Sequence, residues 1–429
     1  MKTAASVPIS TRTQAKRHLR ATISRATHII RHDGIRAFAG RLARLAYNRL
    51  GAASLADPLL DDDVADSTRL ELAFPERRPK RTEPLTVGWV MTPPSAGSGG
   101  HTTLFRMVRA VEQAGHRCVL FLYDRYGGDL REQERVIRQW WPELKAEVRD
   151  ATEGIDGVDA CVASSWESAH VLARRGGSPM RRLYFIQDYE PYFYARGALY
   201  ALAEDSYRFG FRCIALGEMV AELLRSETGI TPDVTEFGCD TSVYRLLPGR
   251  ERTGVVFFAR PDFPRRGYWL ARLALQRFHE IHPEVEIHFY GSKIEGLPFA
   301  TTQHGKLTAT QLNELYNSCI AGLVLSFTNI SLVPEEMLAA GAIPVMNDSA
   351  QARMVLQNEY AVWATPTPSR LAAALSLAVT RSDVAETARM ASESVRSVGW
   401  SRAQDDIVRI IEDEVYGSPG PMRRDGRRD

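Results

Sequence analysis

The chain predicts an α/β protein made of two doubly wound, Rossmann-like domains in series, and three observations carry that prediction. Short apolar runs alternate with amphipathic runs from Thr86 onward, and the alternation restarts after the turn-rich stretch YRLLPGRERTG at residues 244–254. The third is length, since 429 residues suffice for two medium domains plus extensions. Strands alternating with helices imply parallel sheets covered on both faces. Two such sheets in series leave a cleft between their carboxyl ends, the usual place for a ligand.

A helical, basic extension comes first. Between Met1 and Leu50 stand Lys16, Arg17, Arg20, Arg25, Arg31, Arg36, Arg41, Arg44 and Arg49, against the single acid Asp33. Ile35, Phe38, Leu42 and Leu45 fall on one side of a helix while Arg36, Arg41 and Arg44 fall on the other, although Arg49 breaks the pattern. That suits an interfacial helix on an anionic membrane surface. A helix docked on the protein, or a disordered basic arm, fits the same residues. Residues 55–83, with Asp61-Asp62-Asp63 and the stretch PERRPKRTEP, read as a polar linker. The aspartates there are expected to be a solvated charge run rather than a metal-binding Asp-x-Asp site.

The first α/β half opens with the strand VGWVM, the helix HTTLFRMVRAVEQAG with Leu104, Val108 and Val111 on one face, and the strand CVLFLY. DACVAS, RLYFIQ and CIAL follow as short strands, with ESAHVLARR and EMVAELLRS helical between them. The second half runs VVFFA, YWLARLALQRFHEIH, VEIHFY, TATQLNELYNS, AGLVLSF, PEEMLAAG and IPVM, then helical segments near residues 369–380 and 382–398. A final helix, SRAQDDIVRIIEDEVY, is expected to cross back and brace the first half. The division is therefore 1–83 arm and linker, 84–247 first domain, 248–398 second domain, 399–416 returning helix and 417–429 disordered tail.

Composition narrows the function classes. A net charge of +2 implies no nucleic acid or other acidic partner for the chain as a whole. Cys118, Cys161, Cys213, Cys239 and Cys319 are odd in number, sit mostly in apolar runs and show no metal spacing, so reduced core cysteines in a cytoplasmic protein are expected. No apolar stretch reaches the roughly 18 residues that a bilayer span needs, and the N-terminus lacks the apolar core of a signal peptide.

The segment TNISLVPEEMLAAGAIPVM, Thr328 to Met346, is the most informative. Pro334 suits a first helical position, Glu335 and Glu336 its first turn, and Gly341 its stop. The loop Asn329-Ile330-Ser331-Leu332 then presents backbone N–H groups at a helix start, where a phosphate can bind. Glu336 would repel a phosphate set directly against it, so the economical ligand carries phosphates for the loop and hydroxyls for Glu336. A nucleotide sugar has that shape. An ordinary helix-to-strand connection with two acids complementing the helix dipole is the competing reading.

Two further places decide between them. After VGWVM comes TPPSAGSGGHTTLF, where Gly97, Gly99 and Gly100 permit close backbone approach and His101 begins a helix. A dinucleotide-binding turn is disfavoured because Thr102 stands where a third glycine belongs and the loop is long. In the second half, VVFFA ends in Arg260, and PDFPRRG sets Arg265 and Arg266 before the next helix. Guanidinium groups at a strand end and a helix entrance can converge on a pyrophosphate.

Together these residues resemble the second domain of family 4 retaining glycosyltransferases, which have the GT-B fold: two Rossmann-like domains facing across a cleft. Ala259-Arg260-Pro261 and Arg266-Gly267 are similar to the family's diphosphate-holding pair, with one residue inserted. His304-Gly305-Lys306-Leu307 resembles its base-receiving loop, and Glu336 to Val345 the end of its Glu-x7-Glu motif. In the first domain, RLYFIQDYEP (Arg182 to Pro191), SSWESA (Ser164 to Ala169) and SGGHTTLFR (Ser98 to Arg106) resemble bacterial WsaF-type rhamnosyltransferases. Two departures stand out: Thr328 occupies the place of the first Glu of Glu-x7-Glu, and Gln187-Asp188 replaces a common His-Asp. Both fit a 6-deoxy sugar at least as well as glucose or mannose.

The resemblance implies a retaining transfer of a deoxyhexose, L-rhamnose from dTDP-β-L-rhamnose, to a growing bacterial surface glycan. Arg260, Arg266 and the Ser331 and Leu332 backbone are expected to stabilise the leaving diphosphate, and Glu336 to hold ribose hydroxyls. Gly99, Gly100, Gly291, Gly305, Lys306, Leu307, Thr328 and Asn329 complete the expected donor side. On the acceptor side stand His101, Trp166, Gln187, Asp188, Tyr189 and Glu190, with Asp188 near the reacting hydroxyl and Tyr189, Tyr192 and Phe193 offering flat faces to sugars. No metal and no cofactor beyond the nucleotide sugar is implied. The acceptor can be lipid-linked, with the protein peripheral on the inner face of the membrane. Two alternatives remain open: a hexosyl or other deoxyhexosyl transferase using a UDP or GDP sugar, and a non-catalytic glycan-binding subunit of the same fold.

Overall fold

The computed structural model describes residues 57–95 and 97–417. The basic helix expected near residues 35–45 and the tail beyond Gly417 lie outside the described residues. Residues 61–429 fall in one compact unit.

The first sheet contains β1 (Thr86–Met91), β2 (Arg117–Leu122), β3 (Glu147–Asp150), β4 (Ala160–Ala163), β5 (Arg181–Ile186), β6 (Arg212–Leu216) and β7 (Asp233–Thr235). Its order is β3-β2-β1-β4-β5-β6-β7, and every pairing is parallel. The second sheet contains β8 (Gly254–Ala259), β9 (Ile287–Gly291), β10 (Thr302–Gln303), β11 (Cys319–Val324), β12 (Ile343–Asn347) and β13 (Val362–Ala364), in the order β10-β9-β8-β11-β12-β13 and again parallel throughout. In each sheet the order reverses beside its first strand, β1 or β8. Such switch points leave crevices at the carboxyl ends, because the connections on either side depart in opposite directions.

Burial explains why the strands read so clearly. Val87, Trp89, Val90 and Met91 of β1 are all buried, as are the apolar residues of β2, β5 and β12 and, except for half-buried Phe258, those of β8, so covered faces turn each strand into a nearly continuous apolar run. Among the helices, α1 (Gly99–Gln113) buries Leu104, Phe105, Val108 and Val111 on the first sheet, with Ser98 capping its start. Several elements escaped the apolar pattern, among them α2 (Leu130–Trp140), whose charged sequence buries Ile137, and the edge strand β3. The other helices of this half are α3 (Trp166–Arg175), α4 (Ala198–Ser206) and α5 (Glu218–Leu223).

The second half adds α6 (Tyr268–Ile281), α7 (Ala309–Ser318), α8 (Val333–Ala339), α9 (Ala350–Val355), α10 (Pro368–Val379) and α11 (Val384–Ser394). The final helix α12 (Ser401–Tyr416) returns to the first sheet. Ala403, Ile407, Ile410, Ile411 and Val415 join that sheet's apolar cluster, and Trp400 lies under the Arg106 guanidinium at 5.1 Å.

The segment before β1 corrects the linker reading. Asp63 is buried and binds Arg175 (Nε to Oδ1 2.6 Å), and Tyr123 donates its hydroxyl to Asp63 Oδ2 at 2.8 Å. Farther along, the Ala73 carbonyl accepts from Arg182 Nη1 at 2.7 Å, and Ser67 donates to Asp205. Residues 61–83 are therefore a strap on the first domain, and Asp63 is a buried anchor rather than a solvated charge.

Candidate functional site

Loops from the carboxyl ends of both sheets meet. After β5 the chain turns sharply at Gln187-Asp188, and after β11 it runs through Ser326 to Ser331 before α8. Thr328 Oγ1 donates to Asp188 Oδ2 at 2.7 Å and the Asn329 N–H donates to Asp188 Oδ1 at 2.9 Å. Asn329 Nδ2 also donates to the carbonyls of Gln187 (2.9 Å) and Leu216 (3.1 Å). The second-domain loop is thus fastened to the ends of β5 and β6. Within its own domain it is braced by Ser326, whose hydroxyl donates to the Asn329 carbonyl and whose backbone pairs both ways with the Asn347 amide.

Beside this junction the positive charge is concentrated. Arg260 follows β8 with its guanidinium 4.3 Å from the Phe263 ring centroid, and Arg265 lies 4.1 Å from that of Phe193, across the domain junction. Arg266 donates to Ser326 Oγ at 2.9 Å. Burial, opposed by the attraction of Asp188 and reinforced by repulsion from Arg265 and Arg260, depresses the Arg266 pKa to about 10. Arg265 is depressed for the same first reason, burial. Three guanidinium groups close enough to repel one another, with Asp188 as a neighbouring carboxylate, form a site that a dianionic group would stabilise.

Acidic side chains line another part. Glu336 hydrogen-bonds with Tyr244, and burial lifts its pKa to about 8, with Glu335 adding to the rise and Arg106 opposing it. Burial likewise lifts Glu335 to about 7. Glu335 Oε2, Arg265 Nε and Asn329 Oδ1 are buried without a hydrogen-bond partner. Such atoms also occur elsewhere, as at Trp89 Nε1; those of Arg265 and Asn329, on the segments that meet at Asp188, suit a polar ligand.

The remaining expected donor residues are placed as follows. Gly291, at φ +95°, could not carry a Cβ without meeting the Ala259 carbonyl at 2.8 Å, and its N–H donates to the Gly305 carbonyl at 2.8 Å. That ties the His304-Gly305 loop to the end of β9; Lys306 is exposed and Leu307 packs on the second core. Gly99 and Gly100 open α1, and Gln187 Nε2 donates to the Gly100 carbonyl at 3.1 Å. Ser331 is half-buried, whereas Leu332 packs against the first domain's apolar cluster.

Several expectations need correction. Thr328 and Asn329 are buried and fasten the two domains together, so the Thr328 hydroxyl is already committed to Asp188. Asp188 itself has one hydrogen bond on each oxygen, and burial raises its pKa against those bonds and the nearby arginines. Trp166 is 1% and Tyr189 0% exposed, so neither offers a face to a sugar. Glu190 is buried too: it accepts from the Trp166 N–H and from the Tyr184 hydroxyl, and burial with the neighbouring Glu167 carboxylate raises its pKa. His101 spends both ring nitrogens on Ser98 Oγ (2.8 Å) and the Thr92 carbonyl (3.2 Å). Arg265 was read with Arg266 as a possible pyrophosphate group but not carried into the expected donor set, and Arg106 and Tyr244 were given no site role by sequence reasoning. Arg265 carried a signal, its place beside Arg266; the other two sit in ordinary helical or turn contexts far away in sequence.

Residues 160–218 match the family model described as the WsaF N-terminal domain, and residues 253–376 match the WsaF C-terminal domain. Each half of the chain is thus similar to a WsaF glycosyltransferase domain, and the two parallel sheets have the GT-B fold. A curated relative, the O-antigen biosynthesis protein RfbC of Myxococcus xanthus, is 32% identical over 265 residues, covering 59% of this chain. The chain spans 21% of that relative's length. In fold, the chain resembles a glycosyltransferase from Rickettsia africae (TM-score 0.58, 12% identity, 78% of this chain and 100% of that one). It also resembles HepE from Anabaena, solved with UDP-glucose (TM-score 0.59, 15% identity, 77% of this chain and 98% of that one).

Proposed function

We propose that this protein transfers a sugar from a nucleoside diphosphate to a hydroxyl of a growing bacterial surface glycan. The observation that carries the reading is the cluster of Arg260, Arg265 and Arg266 at the cleft, whose mutual repulsion a diphosphate would relieve. As the bond from the anomeric carbon to the diphosphate oxygen breaks, negative charge grows on the leaving group. Fixed guanidinium donors stabilise that charge more than they stabilise the intact donor, which is how such groups speed a reaction. The acceptor oxygen forms the new bond, and its proton passes to the departing phosphate. Arginines that neutralise the diphosphate make a divalent metal unnecessary, and no cofactor beyond the nucleotide sugar is needed. Glu336, set beside Tyr244, would hold the ribose hydroxyls.

The finer reading is L-rhamnose from dTDP-β-L-rhamnose, transferred with retention. It is supported by the family match and by Thr328, whose commitment to Asp188 leaves no second-domain carboxylate at that position for a hexose hydroxyl. A surface glycan as acceptor is supported by the relative named for O-antigen biosynthesis and by the fold likeness to WaaG, described as a glycosyltransferase involved in lipopolysaccharide biosynthesis. Among the described residues no helix is long and apolar enough to cross a membrane. Work on a lipid-linked acceptor at the inner membrane face would fall to the basic residues 1–50, and deleting them should abolish binding to anionic liposomes. Turnover tests the function itself: purified protein, dTDP-β-L-[14C]rhamnose and a cell-envelope fraction should yield labelled glycan. Label that stays in the nucleotide sugar, with UDP-glucose and GDP-mannose equally inert, would refute it.

A further inference from the structure

Of the six large aromatic side chains exposed among the described residues, Phe74, Tyr126, Trp140, Tyr192, Trp269 and Phe327, three lie on segments that leave the cleft. Tyr192 (38% exposed) packs edge-on against Tyr189 at 4.9 Å on the turn after β5. Its neighbour Phe193 carries the Arg265 guanidinium, and the Phe327 N–H donates to the Arg265 carbonyl at 2.9 Å. Phe327 (45% exposed) lies over Gly267, where a Cβ would meet its ring at 2.9 Å, and Trp269 (72% exposed) stands two residues farther along the first turn of α6. The strip therefore runs from the first domain, past Arg265, onto the second.

Leaving three aromatic rings in water sacrifices burial that a core position would gain. Exposed apolar surface grouped beside a reaction site marks recognition rather than chance. The chemistry of the occupant follows from the strip's make-up. Flat rings separated by polar backbone and a cation fit a ligand with alternating apolar faces and hydroxyl edges, as a chain of sugar rings has. A lipid or a protein core would favour contiguous aliphatic side chains. Arg265, one of the three cleft arginines, contacts Phe193 and Phe327 on two of the ring-bearing segments, so a ligand on the rings lies next to whatever reacts there.

We infer that Tyr192, Phe327 and Trp269 form an acceptor-chain platform, and that the enzyme recognises a preformed chain of several sugars rather than a single terminal sugar. This rests on the glycosyl-transfer reading above. The test uses glycan released by mild acid from the envelope of the producing cell, fluorescently labelled and sized into single sugars and longer chains. Full-length protein should retain longer chains preferentially, and Trp269→Ala and Phe327→Ala should each weaken that retention by roughly threefold to tenfold, as loss of an aromatic contact does. Trp269→Tyr should restore most of it. Calorimetric binding of dTDP or UDP should be unchanged in all three variants. Equal retention of single sugars and chains, no retention at any length, or retention indifferent to Trp269→Ala would overturn the platform. Intact nucleotide binding alongside such a result would leave the transfer reading standing, and absent nucleotide binding would remove both.

Discussion

Thr328 Oγ1 donates to Asp188 Oδ2 at 2.7 Å, joining residues 140 positions apart and on opposite sides of the cleft. Together with the Asn329 N–H on the other oxygen, it holds a buried carboxylate at the domain junction. Removing the hydroxyl leaves part of that charge unpaired. Thr328→Val should cost about 1.5–3 kcal/mol in urea denaturation, the range for hydrogen bonds to charged groups, while Thr328→Ser stays near wild type. Thr328→Glu should destabilise more than Thr328→Val, because it buries a second carboxylate against Asp188. Equal stability of the Val and Ser variants would remove the latch.

Removal of one guanidinium separates binding from stability. Arg260→Ala or Arg266→Ala should weaken nucleoside-diphosphate affinity by about 1.5–3 kcal/mol, roughly tenfold or more. Neither should lower the melting temperature by an equivalent amount, because each variant also relieves repulsion within the cluster. A large drop in melting temperature with unchanged calorimetric affinity would mark these arginines as structural.

The cleft carboxyls give the ligand-free protein a pH signature. Glu335 and Glu336 bind protons more tightly when folded, at about 7 and about 8 against an ordinary 4.5. Their protonated forms therefore favour the fold: that contribution is fully present below about 4.5 and is lost as pH rises through 7 and 8. The melting temperature should fall between pH 5 and pH 8.5, and the double variant Glu335→Gln, Glu336→Gln should flatten the slope. A slope that is unchanged in the double variant would assign it to other groups.

Much of the fold was legible because parallel strands buried on both faces become apolar words such as VGWVM and VVFFA, and because restarting after residue 254 separates two sheets. What was not legible depends on distance. Asp63 looks like any solvated acid until Arg175 and Tyr123, brought from elsewhere in the first domain, close on it. Trp166, Tyr189 and Glu190 carry residue types that suit sugar binding, yet the cluster around Tyr184 and Tyr207 consumes them. Arg260 and Arg266 could be read because strand end and helix start lie next to each other in sequence. The partner of Thr328 could not, since nothing local in the chain points to Asp188.

The strap before β1 supplies another check. Asp63→Ala should lower stability by about 3 kcal/mol, the low end for breaking a buried pair, because Arg175 keeps some contact with solvent. Guanidinium-induced unfolding followed by circular dichroism measures this. A loss within experimental scatter would return Asp63 to the surface charges.

The most direct test is calorimetric titration of wild type and Arg266→Ala with dTDP-β-L-rhamnose, UDP-glucose, GDP-mannose and GDP-fucose. The account predicts that wild type binds dTDP-β-L-rhamnose most tightly and that Arg266→Ala weakens it by about tenfold or more. Preference for a UDP or GDP sugar would replace the donor while keeping the site. Absence of binding by all four, or binding indifferent to Arg266→Ala, would contradict the assignment of this cleft to a nucleotide sugar.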